Sequence, residues 1–288
     1  MKKSKLAKVL TVSLAALMVF GLASCGGGSG KVSDKDITVI SREEGSGTRD
    51  AFTELTGVLQ DDVDKTVDTA EISNSTSVVT QSVAGNDAAI GYISLGSLDD
   101  TVKAVKVDGV EATVDNIKSG DYKIQRPFNI VTKGEVKELP ADFIKFIMSK
   151  DGQKIIEDEG YISVNENAEA YKASGLKGSI TLAGSTSVSP VMEVLADKYK
   201  ELNSGVTIEI QQTGSGAGIQ STTEGVCDIG MASRELKDEE ASQGLKSEEI
   251  ALDGIAVIVN KDNGVEDLSM DQIMKIFTGE ITNWADVK

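Results

Sequence analysis

The chain has 288 residues, 40% of them apolar and 4% aromatic, with 29 basic against 46 acidic side chains and a formal charge of −17. It holds no histidine and two cysteines, which excludes imidazole acid–base chemistry, Ser-His-Asp triads and most zinc sites. The acidity argues against a nucleic-acid partner, whose phosphates call for a cationic face, and the length suits two domains.

The first 25 residues follow their own logic. Lys2, Lys3, Lys5 and Lys8 make a basic start, and residues 9–20 are mostly apolar but too short to span a bilayer comfortably. Small residues then precede Cys25, the pattern of a secretory signal. The ending Leu22-Ala23-Ser24-Cys25 resembles a bacterial lipobox, which implies that Cys25 is lipidated and becomes the new N-terminus. The alternative is an uncleaved anchor with an idle thiol. Residues 26–35, opening with GGGSG, read as a flexible tether. Loss of the four leader lysines leaves 25 basic residues against 46 acidic ones. Only Cys227 then remains besides Cys25, so no intrachain disulfide is expected, and its apolar segment GVCDIGMAS marks it as a buried small hydrophobe.

After the tether, residues 37–40 predict a strand, and a GSGT turn leads into a helix starting near Thr48. Residues 78–84 read as helix and AAIGYISLG (88–96) as a core strand. Further strands are expected at 103–107 and 124–131, then one helix over 141–157. YKASGLKG (171–178) is a polar connector. A strand at 180–183 enters a second hydroxyl-rich turn, AGSTSVSP, followed by a helix at 192–202 and a strand at 206–211. QTGSGAGIQ (212–220) is a third such turn. Strands at 227–232 and 250–260 and a helix at 268–277 complete the series. The repeated strand, turn, helix order predicts mostly parallel sheets with helices on both faces, an α/β fold.

The turns carry the chemistry. A helix's first turn leaves N–H groups without partners and bears partial positive charge, so glycine, serine and threonine there can cradle a small oxyanion. In SREEGSGTR, Gly45 and Gly47 permit close approach, Ser46 and Thr48 can donate, Arg42 can fork onto two oxygens, and Glu44 can orient it. Thr186, Ser187, Ser215 and the cluster Ser233-Arg234-Glu235 add donors from separate turns. Any one of them alone could be a plain helix cap.

Taken together, AGSTSVSP, QTGSGAGIQ, DIGMASRELKDEE, LDGIAVIVN, IFTGEITNWADV, SREEGSGTRDAF and AAIGYISLG closely resemble the phosphate-binding component of the bacterial ABC phosphate uptake system. The resemblance covers nearly everything after the tether. It implies a two-lobed periplasmic-binding-protein fold of type II-like form, a ligand cleft between lobes, no enzymatic activity and no cofactor or metal. It also implies capture of inorganic phosphate outside the cytoplasm and delivery to ABC permease membrane subunits by a monomer held at the membrane by its lipid. The motif order differs from the family's: here SREEGSGTR opens the mature chain and IFTGEITNWADV closes it, so a circular permutation is expected. The alternative is a partial or misassembled gene whose halves pair between chains. Carried over, one lobe is continuous at 126–257 and the other is assembled from 36–125 and 258–288, with hinges near 257–260 and 124–128.

The implied phosphate contacts fall on Thr186, Ser187 and Ser215 in the continuous lobe and on Arg42, Ser46, Gly47 and Thr48 in the split one, with Glu44 and Arg234 in support. Ser233 stands where some members carry an aspartate that accepts the proton of bound phosphate. The departure keeps other tetrahedral oxyanions open as ligands. A phosphate-sensing or adhesive lipoprotein is a further alternative. A serine phosphoesterase is disfavoured, since no histidine exists to activate the serine.

Overall fold

A computed structural model describes residues 32–287. The leader with Cys25 and the first part of the tether lie outside the described residues. No helix among those described is long and apolar enough to cross a membrane. The last tether residues are folded rather than loose: Val32–Asp34 is a 3-10 helix, and Lys35 pairs with Asp87 at 2.5 Å.

A ten-stranded sheet runs in the order Val206–Gln212, Gly178–Gly184, Ile229–Ala232, Gln125–Lys133, Leu245–Asn260, Ala89–Ser94, Thr38–Arg42, Glu71–Ser73. The short strands Val102–Ala104 and Ile162–Ser163 also pair with Leu245–Asn260. Pairing is parallel toward both ends of this order but antiparallel at its centre, which corrects the expectation of mostly parallel sheets. The reason is the 16-residue strand Leu245–Asn260, which serves two groups of strands. Gly254 is opposite Gln125, whereas Ile255 is opposite Ser94.

The run Ile255-Ala256-Val257-Ile258-Val259 is buried on both faces, as its unbroken apolar character requires. Side chains alternate across a strand, so Ile255, Val257 and Val259 join Val39, Ile90, Tyr92 and Phe277 on one face, while Ala256 and Ile258 join Ile40, Ala89 and Ile93 on the other. Upstream, Ile250 and Ala251 pack with Phe128, Ile130, Leu182, Leu195 and Met231 in a separate cluster. The packing changes between Ala251 and Leu252 and the strand partner between Gly254 and Ile255, so Leu252, Ile255 and Val257 already pack with the first group, within the segment expected from the sequence to run to residue 257.

One expected helix is two. Residues 141–157 are covered by Glu138–Ile147 and Lys150–Asp158, separated at Met148-Ser149. Ser149 ends one and caps the other, its Oγ donating to the Phe146 carbonyl at 2.6 Å and accepting the Gly152 N–H at 3.3 Å.

The two ends of the described chain meet. The Ile37 N–H donates to the Thr282 carbonyl at 2.8 Å, the Trp284 N–H to the Lys35 carbonyl at 3.0 Å, and Asp36 bridges to Asn283. Trp284 is buried, its indole N–H on the Ala88 carbonyl at 2.9 Å. At the opposite end the 171–178 connector is tied down by Asp142, whose Oδ2 accepts from Tyr171 (2.6 Å), Ser174 (2.7 Å) and Tyr199 (2.7 Å). Burial works against ionisation of Asp142, but these three hydroxyls outweigh it and hold its carboxyl below the usual range. A folded-state value below the unfolded one contributes stability above the ordinary aspartate range and loses it as pH falls. Asp142→Asn should thus cost about 1–3 kcal/mol at neutral pH. In thermal melts the deficit should be several degrees at pH 7 and should close on acidification below about pH 4.

Candidate functional site

Four helices start close to one another, each packing into a different hydrophobic cluster. Gly47–Thr56 and Thr76–Gly85 follow the strands Thr38–Arg42 and Glu71–Ser73, and Ser189–Leu202 and Ser215–Glu224 follow Gly178–Gly184 and Val206–Gln212. Each brings unpaired first-turn N–H groups and the positive end of its dipole.

Local sequence explains the first of these turns. The Ser46 N–H donates to the Glu43 carbonyl at 3.2 Å, and Gly45 has φ 80°, the left-handed value that a type II turn requires at its third residue. Ser46 then caps the helix, its Oγ accepting the Arg49 N–H at 3.4 Å. Gly47 comes next, and a Cβ there would collide with the Ser215 and Ser233 hydroxyls. Glycine is needed because the helices Gly47–Thr56 and Ser215–Glu224 meet at this residue.

Hydroxyls from both sides converge in the gap. Thr48 Oγ1 lies 2.9 Å from Ser187 Oγ, and Thr76 Oγ1 lies 3.1 Å from Ser187 Oγ and 3.3 Å from Thr186 Oγ1. Arg42, 2% exposed, donates from Nη2 to Thr186 Oγ1 at 3.1 Å. Its Nη1 is 3.5 Å from Thr76 Oγ1. Deeper in, Ser185 Oγ accepts the N–H groups of Ser187 and Val188 and so donates its own hydrogen to Ser233 Oγ at 2.9 Å. Ser215 Oγ accepts the Ser233 N–H at 3.2 Å.

The arginine is fixed from three directions. Its Nε and Nη2 pair with Glu43 at 2.8 Å each. Its backbone N–H donates to Tyr92 Oη at 3.2 Å, and its carbonyl accepts from Arg49 Nη1 at 2.8 Å. Arg49 is in turn held by Asp64 at 2.7 Å. Burial pushes the Tyr92 phenol up to about 12, so it stays a neutral hydrogen-bonding post. Ser233 is steadied from behind by Arg126, whose Nη1 donates to its carbonyl at 3.3 Å. Arg126 pairs with Asp253 at 3.1 Å, each side chain 1% exposed, and Ser94 donates to the same carboxylate at 2.9 Å.

The structure therefore brings together Arg42, Gly47, Thr48, Thr186, Ser187, Ser215 and Ser233, all buried, with Ser46 buried beside them as a helix cap. Two expectations are corrected. Glu44 is exposed at the outer corner of the turn, and its neighbour Glu43 holds Arg42. Arg234 stands outside the hydroxyl cluster, bound to Asp50 and Glu240. Sequence reading misses Thr76, Ser185 and Glu43. The segment SNSTSVV (73–79) has the same strand, hydroxyl, helix pattern as the other turns, so a signal for Thr76 exists. The cluster offers neutral donors and one guanidinium whose charge Glu43 already balances, an arrangement for holding an anion rather than for attacking one.

A family model described as the PBP superfamily domain matches residues 28–151 and 169–288. Phosphate-binding protein PstS 2 of Streptococcus agalactiae serotype V is 52% identical over 294 aligned residues, covering 100% of this chain and 99% of its own. The crystal structure of the phosphate-binding protein of a phosphate ABC transporter from Streptococcus pneumoniae TIGR4 is 49% identical, covers 88% of this chain and 100% of its own, and superposes with a TM-score of 0.72. The phosphate-binding protein PstS of Bacillus subtilis aligns differently: 37% identity over 128 residues, 43% of each chain. With a family model spanning both parts of the sequence and a relative aligned from end to end, the chain belongs to the PBP superfamily, among the PstS phosphate-binding proteins.

Proposed function

We propose that this protein captures inorganic phosphate and hands it to the membrane subunits of an ABC permease, without catalysing a reaction. The observation that carries this reading is the convergence of Arg42, Thr48, Thr76, Thr186 and Ser187 at three helix starts, two of them early in the chain and the third more than 100 residues later. A tetrahedral anion would replace these hydroxyls as one another's partners and collect donors from both sides. Two lobes would close on it, one built from 36–125 and the end of the chain, the other from the segment between the crossings at Gln125 and Gly254. An anion that engages both lobes favours the closed form by its differential affinity for that state. Delivery implies an extracytoplasmic monomer, anchored through lipid on Cys25.

The chain reads as a circular permutation of the family order. Two observations support this: Asp36 and Asn283 are adjacent, and the Bacillus subtilis relative aligns over less than half of either chain. The end-to-end match with the streptococcal relative argues against a misassembled gene.

A second reading, another tetrahedral oxyanion, draws on Ser233. Its neutral hydroxyl replaces the carboxylate that would demand a proton on the ligand, so rejection of sulfate has less to rest on.

Titration calorimetry tests both readings. Phosphate should bind the wild-type protein. Arg42→Met should weaken binding by about tenfold to a hundredfold, the loss expected for about 1.5–3 kcal/mol of charge-assisted hydrogen bonding. Unchanged affinity would remove Arg42 from the site. Gly47→Ala should weaken binding by about tenfold, since overpacking at close contacts costs about 1–3 kcal/mol. Under the second reading sulfate should displace bound phosphate at comparable concentration, and failure of a large sulfate excess to compete would leave phosphate alone.

A further inference from the structure

Just outside the hydroxyl cluster, a charged bridge joins the two cores. Asp50 lies in the first turn of the helix Gly47–Thr56, two residues after Thr48, and that helix packs through Ala51 and Phe52 into the first core. Arg234 follows the strand Ile229–Ala232, whose Ile229 and Met231 belong to the other. Arg234 Nε meets Asp50 Oδ2 at 2.9 Å, while Nη1 and Nη2 grip Glu240 at 2.7 and 2.8 Å. Lys237 Nζ adds a contact to Asp50 at 3.6 Å. The Arg234 side chain is 8% exposed and Asp50 26%, so the bridge is partly shielded from solvent.

We infer that Asp50 and Arg234 form a closing latch, a pair that sets the affinity of the site without touching the ligand. The inference rests on the reading that two lobes clasp an anion. Each of the Thr48, Thr76, Thr186 and Ser187 hydroxyls has a single hydrogen, so one that donates it to an anion no longer donates to a hydroxyl of the other lobe, and anion binding weakens these lobe-to-lobe bonds. The Asp50–Arg234 bridge and the backbone bond from the Gly216 N–H to the Gly45 carbonyl, at 2.9 Å, compete with no ligand oxygen and persist. Opening would break the bridge on the Asp50 side alone, because Arg234 has two bonds to Glu240 within its own lobe. The bridge therefore counts only in the closed state and raises its population, which strengthens the observed affinity where the unliganded protein is mostly open and suppresses opening where it is mostly closed.

The sign of one substitution decides between a latch and simple electrostatics. A carboxylate beside the N–H groups of Gly47 and Thr48 repels an incoming anion, so removing its charge should tighten binding if charge were its only role. As half of a latch, its removal should weaken binding. Asp50→Asn is expected to raise the phosphate Kd three- to tenfold, the range for about 0.7–1.4 kcal/mol of a partly shielded ion pair. The change should sit in the dissociation rate. Arg234→Gln combined with Asp50→Asn should lose no more than the worse single variant.

A second readout needs no phosphate. Where the unliganded protein is mostly closed, the effect moves from the Kd to hydrogen exchange: the Gly216 amide, whose bond to Gly45 spans the lobes, should then exchange three- to tenfold faster in Asp50→Asn, while the buried strand amides of Ile229–Ala232 keep their rates. Tighter phosphate binding in that variant, or no change in either the Kd or the Gly216 exchange rate, would overturn the latch. If the wild-type protein fails to bind phosphate yet Gly216 exchange accelerates, the latch stands and the proposed ligand falls.

Discussion

The geometry of the site is referred to one guanidinium. Arg42 sits at the end of a strand in one core and reaches Thr186 in the other, and every part of it that could wander is occupied. Glu43 fixes two of its nitrogens, Tyr92 its amide and Arg49 its carbonyl. A planar fork held this way presents its remaining donors in a fixed direction, so little rotamer entropy is left to lose when a ligand arrives. The stacking of Tyr92 on Phe52, with ring centroids 3.9 Å apart, carries that rigidity into the core.

The same economy governs how the two cores are joined. The long strand Leu245–Asn260 belongs to both, and its neighbour Gln125–Lys133 begins where the change of partner occurs. Arg126 and Asp253 face each other at that junction, fully buried, with Asp253 pushed up to about 6 by burial despite the guanidinium beside it. A buried ion pair is weak evidence for stability, because desolvation offsets much of the attraction. Its value here is positional. It connects Ser94 of one core, the shared strand, and the carbonyl of Ser233 in the site.

Much of this is legible in the sequence, and what is not has identifiable causes. The glycine-rich turns can be read because left-handed backbone and close approach each demand glycine, and hydroxyls before helices announce caps. Glu43 and Glu44 cannot be told apart that way. The turn type decides which carboxylate stays at the strand end and which takes the exposed corner, and both are glutamate. Thr76 belongs to a turn of the same pattern, but its partners are more than 100 residues away, a distance that only the topology closes. The antiparallel centre of the sheet is hidden for a similar reason: an unbroken apolar run shows that a strand is buried on both faces, not that it serves two cores.

Under the proposed function, the distribution of charge would let such a site both seize a ligand and release it. The contacts within the cluster are mostly between neutral hydroxyls, each contributing about 1 kcal/mol net, so an exchange of partners on binding is nearly balanced. The one guanidinium there is already paired with Glu43, which keeps the pocket from becoming a trap of net positive charge. The ionic contacts that span the cores are set outside the pocket, at Asp50 and Arg234, where salt screens them in proportion to their exposure. On that reading, selectivity would reside in the directions of neutral donors fixed by four helix starts. The bias toward closure would reside in charges that the ligand never meets, so the two could be changed separately.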